Sequence, residues 1–424
     1  MRGLTGFFLL CVCTTGLCQE SGPPAPVLSG YATRVVSGTD FDVNGFRVQC
    51  GAETQNGSPA TGAVLGCPQK APAVGQRVDV YGRLNRKQQT VSAQLIDIKP
   101  ISREGISGFA VIDAVSGVDA SAPGTREIRA DGYRMRITPK TAVTFVAPLR
   151  SMADAMTNVW VEYDARPGRD GVYVMRSAKF LQNVISDRED TMRAKTDYDP
   201  AAVPADARPN PVAVSIGVPV NPKSIPPWPN AEMQEHLNAI GKKLIPAYQR
   251  GLAASDPSRI DFRFQLTNGK HWPWVLTLPS GIILVPHEVV ERMENDSELA
   301  EVLADGIACA LEKQDFRMHA AHVAITTGSI AGLAEFVPVV GGAAGLAGAG
   351  AWGGQRALVR KEEHQSGRVS LELMQDAGYD IAEAPKAWWL LASKKPKPVA
   401  EITMPDRAAY LYRVLAEEWS GGAP

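Results

Sequence analysis

The chain contains 424 residues, and its 44 lysines and arginines against 45 aspartates and glutamates give a formal net charge of −1 at pH 7. This balance excludes a protein whose whole surface is adapted to nucleic acid or to an acidic membrane. A hydrophobic fraction of 45% and a charged fraction of 21% are typical of folded globular proteins, and the length suffices for two or three domains.

The N-terminal stretch has the pattern of a secretory signal peptide. Arg2 supplies a positive charge, an apolar run continues to Leu17, and polar sequence follows Cys18. Because the run is too short to span a bilayer comfortably, we assign residues 1–18 to a signal peptide and expect an extracytoplasmic protein, either periplasmic or secreted. Lipoprotein anchoring at Cys18 or Cys13 is the alternative, although Leu17 directly before Cys18 fits it poorly.

Residues 24–100 are rich in predicted strands. Alternating and β-branched segments follow one another, and Asn44-Gly45 lies between two of them at a predicted hairpin turn. Residues 101–184 repeat this plan, with Asp131-Gly132 in the position of Asn44-Gly45. A repeat of about 80 residues is too long for a solenoid unit and suits two small tandem all-β barrels.

The two modules resemble, in strand rhythm and composition, the small OB-like β-barrel domains of exported bacterial proteins. OB-like barrels often bind oligonucleotides or oligosaccharides, but neither segment has the stripe of basic and aromatic residues that single-stranded nucleic acid requires. We therefore predict no nucleic-acid partner and favour a spacer or protein-docking role. Binding of an envelope glycan or protein by the barrels is the alternative.

Two cysteines of the first module are predicted to form a disulfide. Cys50 and Cys67 are close in the sequence, and an exported protein meets an oxidising compartment in which such a bond persists. Two independent thiols are the alternative. Cys309, which lies far downstream, has no predicted partner.

The segment 185–229 is predicted to be a linker. Prolines recur from Pro200 to Pro229, and apolar runs are few. Proline-rich sequence favours a semi-extended chain over a packed element.

Residues 230–421 are predicted to form one α+β domain that is mostly helical. Asn230 can cap a first amphipathic helix. The strand IDFRFQL follows, and we expect WVLTL to pair back against it across a turn at Asn268-Gly269. A longer helix then begins at Asp296 or Ser297, either of which can serve as its N-cap.

An uncharged segment rich in alanine and glycine extends from His319 to Gly354, interrupted by Glu335 alone. Gly328 and Pro338 help to divide it into pieces too short to span a bilayer. We predict closely packed helices here rather than a membrane hairpin, and therefore contact with a membrane only by proximity.

Three ordered stretches of the C-terminal region carry a family resemblance. They are LPSGIILV from Leu278 to Val285, LADGIACAL from Leu303 to Leu311, and the segment Lys361–Gly367 followed by LELMQDAGYD. Together they resemble the strand, the active-site helix and the third-ligand helix of HExxH zinc metallopeptidases, the family that includes the CAAX prenyl protease and its periplasmic bacterial relatives. The resemblance implies a metallopeptidase-like fold for residues 230–421.

The same resemblance indicates that most of the zinc chemistry is missing. Asp305 stands at the first ligand histidine, Gly306 at the general-base glutamate and Cys309 at the second ligand histidine, while Glu363 matches the third ligand. In such a site two imidazoles and a carboxylate hold zinc, and the glutamate takes a proton from the zinc-bound water. Glycine cannot accept a proton, so we expect no hydrolysis and no bound cofactor.

An active zinc metalloendopeptidase with atypical ligands is the alternative. Carboxylate and thiolate both bind zinc, so Asp305, Cys309 and Glu363 are candidate ligands, with His364 as a substitute. Another residue would then have to act as the base.

The sequence thus favours a multidomain exported envelope protein with two barrels, a proline-rich linker and a non-catalytic metallopeptidase-like domain. Its expected partner is a polypeptide or an envelope protein. A strand at the edge of a sheet can hold such a chain in extended form by β-addition, which needs no catalytic group.

Overall fold

The structure is a computed structural model that describes residues 25–58, 62–116, 124–168, 170–210, 221–270, 273–317, 351–393 and 397–420, together with Lys395. For residues 351–358 it describes the backbone. The predicted signal peptide and nearly all of the alanine- and glycine-rich segment lie outside the described residues.

The first module, barrel 1, contains a closed ring of five strands. Its seven strands are β1 (Leu28–Ser37), β2 (Asp40–Val43), β3 (Phe46–Gln49), β4 (Gln55–Ser58), β5 (Gly62–Leu65), β6 (Arg77–Asn85) and β7 (Thr90–Ile98). The ring runs β1-β2-β3-β7-β6, and its neighbours are antiparallel except for the parallel pair β3–β7. This five-stranded closure confirms an OB-like barrel, to which the hairpin β4–β5 is added beside β7.

The second module, barrel 2, repeats the same ring. Its strands are β8 (Ile106–Val115), β9 (Arg126–Ala130), β10 (Tyr133–Ile137), β11 (Ala142–Phe145), β12 (Val159–Pro167) and β13 (Tyr173–Gln182). The ring runs β8-β9-β10-β13-β12, closed by the parallel pair β10–β13, and β11 pairs outside it with β13. Each barrel has its own buried core, because alternate residues of every strand point inward.

The rest of the described chain is mainly helical. Its helices are α1 (Asp187–Lys195), α2 (Ala231–Leu244), α3 (Ala247–Gly251), α4 (His287–Arg292), α5 (Asp296–Leu311), α6 (Ala351–Asp376), α7 (Ala384–Leu391) and α8 (Asp406–Val414). None of the helices in this part of the structure is both long and apolar enough to cross a membrane. The segment predicted to be a semi-extended linker begins with α1 and also contributes Tyr198, Val203 and Ile225 to a buried cluster.

A sheet of three strands lies against these helices, and its pairing differs from the prediction. Its strands are β14 (Arg263–Thr267), β15 (Leu276–Thr277) and β16 (Ile282–Pro286). The predicted hairpin between β14 and β15 is wrong: β16 lies between them, parallel to β14 and antiparallel to β15. The hairpin turn instead follows β15, where the Leu278 N–H donates to the Ile282 carbonyl at 2.8 Å.

Helix α5 lies at the centre of the helical region. Of its 16 residues, 13 are buried, so it has no solvent-exposed face. Asn295 caps it by accepting a hydrogen bond from the Glu298 N–H at 3.0 Å, so the predicted caps Asp296 and Ser297 are wrong by one or two positions. A fully buried helix must have all its polar side chains paired, and this requirement shapes the site described below.

Both barrels meet the helical region through the same turn of the repeat. Asn44, Gly45, Asp131 and Gly132 have φ values of 47°, 75°, 58° and 75°, as expected for the two central residues of type I′ hairpins. A Cβ added at Gly45 would lie 3.1 Å from the Cβ of Ala400, and one added at Gly132 would overlap α6. Glycine therefore permits both the turn and the close approach.

Barrel 2 is also joined to the helices by buried polar contacts. The Arg368 side chain of α6 donates to the carbonyl of Asp131 at 2.9 Å and forms an ion pair with its carboxylate. Glu312, directly after α5, accepts a hydrogen bond from the Val111 N–H at 3.2 Å.

The predicted disulfide between Cys50 and Cys67 is present, with Cα atoms 5.8 Å apart. It closes a loop with a sequence separation of 17 residues, and a cross-link of that length typically stabilises a protein by about 3 kcal/mol. Replacing both cysteines with serine should therefore increase hydrogen exchange in barrel 1 while barrel 2, as the internal control, is unchanged. Equal protection of barrel 1 in the two proteins would contradict this expectation.

Candidate functional site

Gly306 lies where the resemblance places the general base, and neighbouring side chains fill that position. A Cβ added to Gly306 would lie 2.9 Å from Ile283 Cδ1 and 2.9 Å from Thr277 Oγ1. Real Cβ atoms essentially never approach other heavy atoms that closely. The sheet strands β15 and β16 therefore occupy the space that a glutamate side chain would need.

Asp305 is paired with an arginine from the C-terminal helix α8. Its Oδ1 forms a partly buried ion pair with Nη2 of Arg407, and the same nitrogen lies 3.5 Å from Ser366 Oγ. The Arg407 guanidinium lies over the Trp388 ring, 3.4 Å from its centroid, an arrangement that favours a cation. Arg407 thus places a positive charge beside this carboxylate.

Glu301, one turn before Asp305, is a second buried acid at this position. It accepts hydrogen bonds from Trp388 Nε1 at 2.7 Å and from Ser370 Oγ at 2.8 Å. Burial raises the pKa of Glu301 to about 7, although these hydrogen bonds and Arg407 oppose the shift. The site therefore contains a carboxyl group that titrates near neutral pH.

The third buried acid of α5, Glu298, is paired with a different helix. Its Oε1 lies 2.8 Å from Lys386 Nζ of α7, and its Oε2 accepts a hydrogen bond from the Glu294 N–H at 2.5 Å. Each of the three buried acids on α5 thus has a polar partner on another helix.

Cys309 faces α6 as a protonated thiol. Burial raises the pKa of this thiol, and the nearby acids Asp315, Glu362 and Glu363 raise it further, while a hydrogen bond with Ser366 opposes them. Zinc binds the thiolate rather than the thiol, so these surroundings disfavour Cys309 as a ligand.

The two remaining candidates do not join Asp305 and Cys309. Glu363 is exposed on α6, although partial burial raises its pKa. The His364 ring is stacked on Tyr410 with centroids 3.6 Å apart. Burial and the nearby Arg368 lower the pKa of His364 to about 4, so the ring is neutral.

These four candidates therefore do not fit a zinc ion. Within the described ranges, no group of three or more histidine, cysteine, aspartate or glutamate side chains could hold a metal. Asp305 already has a cationic partner and Cys309 is held as a thiol. The expectation that no cofactor binds remains a prediction.

The edge of the sheet beside Gly306 is open within the described chain. β15 pairs with β16 on one side and with no described strand on the other. Because Leu278 directs its N–H to β16, the alternation of an antiparallel pair directs the N–H and C=O of Thr277 to the open side. Trp274, just before β15, has a side chain that is 58% exposed.

Comparisons with known proteins add no relative. No family model matches the chain, and no curated protein matches it.

The close packing at Gly306 predicts a cost for any side chain at this position. Gly306→Ala should lose about 1–3 kcal/mol of unfolding free energy, because overpacking a buried contact outweighs the better helix propensity of alanine. The control is Gly251→Ala in α3, where an added Cβ would meet nothing within 4 Å. Adding Ile283→Val to Gly306→Ala removes the contacting Cδ1 and should recover part of the lost unfolding free energy, measured by chemical denaturation. Equal losses in Gly306→Ala and Gly251→Ala would refute the argument.

The raised pKa of Glu301 predicts a pH dependence of stability. Its folded pKa of about 7 exceeds the value of 4.5 for a free glutamate. Its stabilising contribution is therefore complete at acidic pH and is lost as the pH rises through 7. The loss should be on the order of 3 kcal/mol. Glu301→Gln should show a flatter stability profile over this range, whereas an unchanged difference from the wild type at every pH would show that Glu301 does not titrate there.

Proposed function

We propose that the C-terminal region binds an extended polypeptide without hydrolysing it. The observation that carries the proposal is the filled position at Gly306, where Ile283 and Thr277 leave no space for a base. A general base is typically worth about 10²–10⁴ in rate. Binding is the function that this arrangement still supports.

The open edge of β15 is the proposed binding surface. An added strand would receive hydrogen bonds from the Thr277 N–H and donate to its C=O, as in other cases of β-addition. Thr277 Oγ1 also contacts the Gly306 position, so the bound chain would pass beside the Asp305–Arg407 pair. The exposed indole of Trp274 would supply an aromatic anchor of the kind enriched at binding hot spots.

On this proposal the protein is an exported envelope protein whose C-terminal region is a non-catalytic relative of the HExxH zinc metallopeptidases. The three ordered sequence stretches support that relationship, as does the sequence of a helix, three strands and a buried helix in α2, β14–β16 and α5. The disulfide is compatible with an oxidising compartment.

Barrel 1 offers a second candidate site. A cavity of about 740 Å³ beside the β4–β5 hairpin is lined by apolar side chains, including Val64 and Leu65, and by Lys70, Asn56 and Gln76. A volume of this size lies in the range of ligand pockets. It favours the alternative in which barrel 1 binds an envelope glycan or protein.

A library of fluorescent decapeptides tests the proposed function. We expect binding that weakens roughly tenfold or more in Trp274→Ala, as for an interface anchor, and that is lost when alternate peptide nitrogens are methylated. Val64→Ala, at the barrel 1 cavity, is the matched control and should bind normally.

The same peptides should remain intact by mass spectrometry, with and without added zinc. Chelator-sensitive cleavage would contradict the non-catalytic proposal and support the atypical peptidase. Loss of binding in Val64→Ala, with Trp274→Ala unaffected, would favour barrel 1.

A further inference from the structure

Four ionisable side chains meet where barrel 2 contacts α6. Asp113 lies on β8, Arg129 on β9, and Glu372 and Asp376 on α6. The register of β8 against β9 shifts between Ile112 and Ala114, which places Asp113 at a β-bulge. Bulges redirect side chains, and this one lies where Asp113 pairs with Arg129.

Arg129 connects the three acids. Its Nε lies 2.9 Å from Asp113 Oδ1 and 3.5 Å from Glu372 Oε1. Its Nη1 and Nη2 donate to the two carboxylate oxygens of Asp376 at 3.0 and 2.5 Å. One guanidinium therefore serves three carboxyl groups.

The charges do not balance if all three acids are ionised. The Glu372 and Asp113 side chains are 2% and 9% exposed, whereas that of Asp376 is 48% exposed. Within the described structure, Oε2 of Glu372 is buried and has no hydrogen-bond partner. An unpaired buried carboxylate is costly. A proton on Glu372 or Asp113 would remove one of the two excess negative charges, the one that is buried, and would supply a hydrogen-bond donor between the two acids.

We propose that Asp113 and Glu372 share one proton, which forms a hydrogen bond between a carboxylic acid and a carboxylate. This hydrogen bond is a latch that holds barrel 2 on α6. The latch weakens when the proton is lost to water. The latch is independent of the proposed peptide-binding function.

The surroundings agree with one shared proton. Burial raises the pKa of both acids, and Asp113 raises that of Glu372 further, against the opposing effect of Arg129. Tyr248 of the α3 helix packs against barrel 2 and interacts with Asp113, but burial raises the pKa of its hydroxyl, so it remains neutral. The nearby Arg368–Asp131 pair is charge-balanced.

The direction of the pH effect follows from these shifts. Because the folded pKa values are raised above those of free carboxyl groups, the latch is complete at acidic pH and is lost as the pH rises through the folded value. Each pKa unit by which docking raises the value corresponds to about a tenfold change in the ratio of docked to undocked barrel 2.

Infrared difference spectroscopy tests the shared proton directly. The wild type at neutral pH should show a protonated-carboxyl band that disappears at alkaline pH, and Glu372→Gln or Asp113→Asn should each remove that component. Asp376→Asn, which removes only the exposed partner of Arg129, is the control and should retain it. A wild-type spectrum whose protonated-carboxyl bands are unchanged in both variants would overturn the proposal.

Hydrogen exchange tests the latch. After correction for the intrinsic effect of pH, exchange in the Val369–Asp376 part of α6 and in β8 should become at least tenfold faster at alkaline pH in the wild type. Glu372→Gln, whose amide donates to Asp113 without titrating, should stay protected. Asp113→Asn provides the same test should the first variant not fold, and equal pH dependence in wild type and variants would exclude the latch.

Discussion

The helical region depends on the pairing of the acids on α5. This helix is buried on all sides, so Glu298, Glu301 and Asp305 can remain only where a partner meets each of them. Their partners come from three other helices: Lys386 and Trp388 of α7, Ser370 of α6 and Arg407 of α8. The hydrophobic core brings these helices together, and the three acids determine their rotation and axial position around α5.

The two barrels contact the helical region in different ways. Tyr31 of barrel 1 stacks loosely on Tyr412, with ring centroids 6.2 Å apart, and glycine turns allow close apolar contact. Barrel 2 adds a buried polar interface through Asp131, Glu312 and Arg129. Buried polar contacts require exact pairing and therefore fix orientation more strictly than apolar contact does. The polar contacts therefore fix the orientation of barrel 2 against the helices. The contacts described for barrel 1 position it by apolar packing.

Local sequence patterns predicted the parts of the fold that depend on neighbouring residues. The Asn44-Gly45 turn, the repeat at Asp131-Gly132, the two barrels, the Asn230 cap and the Cys50–Cys67 bond are all present. The β14–β15 hairpin was predicted wrongly because its two segments are close in sequence, whereas the parallel partner β16 follows after a further connection. Proximity in the sequence favours a hairpin between β14 and β15. All five residues of β16 are buried, and a strand buried in this way takes the central position of the sheet.

The candidate site was only partly predictable. The positions of Asp305, Gly306 and Cys309 follow from one helix, but Arg407 lies about a hundred residues later and has no motif that assigns it to Asp305. Glu301 had no signal beyond being one of several acids on a mostly apolar helix. That signal, an acid at a position where burial is expected, could have identified it.

The filled space at Gly306 has a consequence for the engineering of this chain. A side chain introduced there would meet Ile283 and Thr277, so we expect that installing a hydrolytic base also requires smaller residues at these two positions. Each of those intermediate steps would open a void in a buried contact before any activity could reward it. A hydrolytic site at this position would therefore need several coordinated substitutions, of which the first alone would lower the stability of the buried helix.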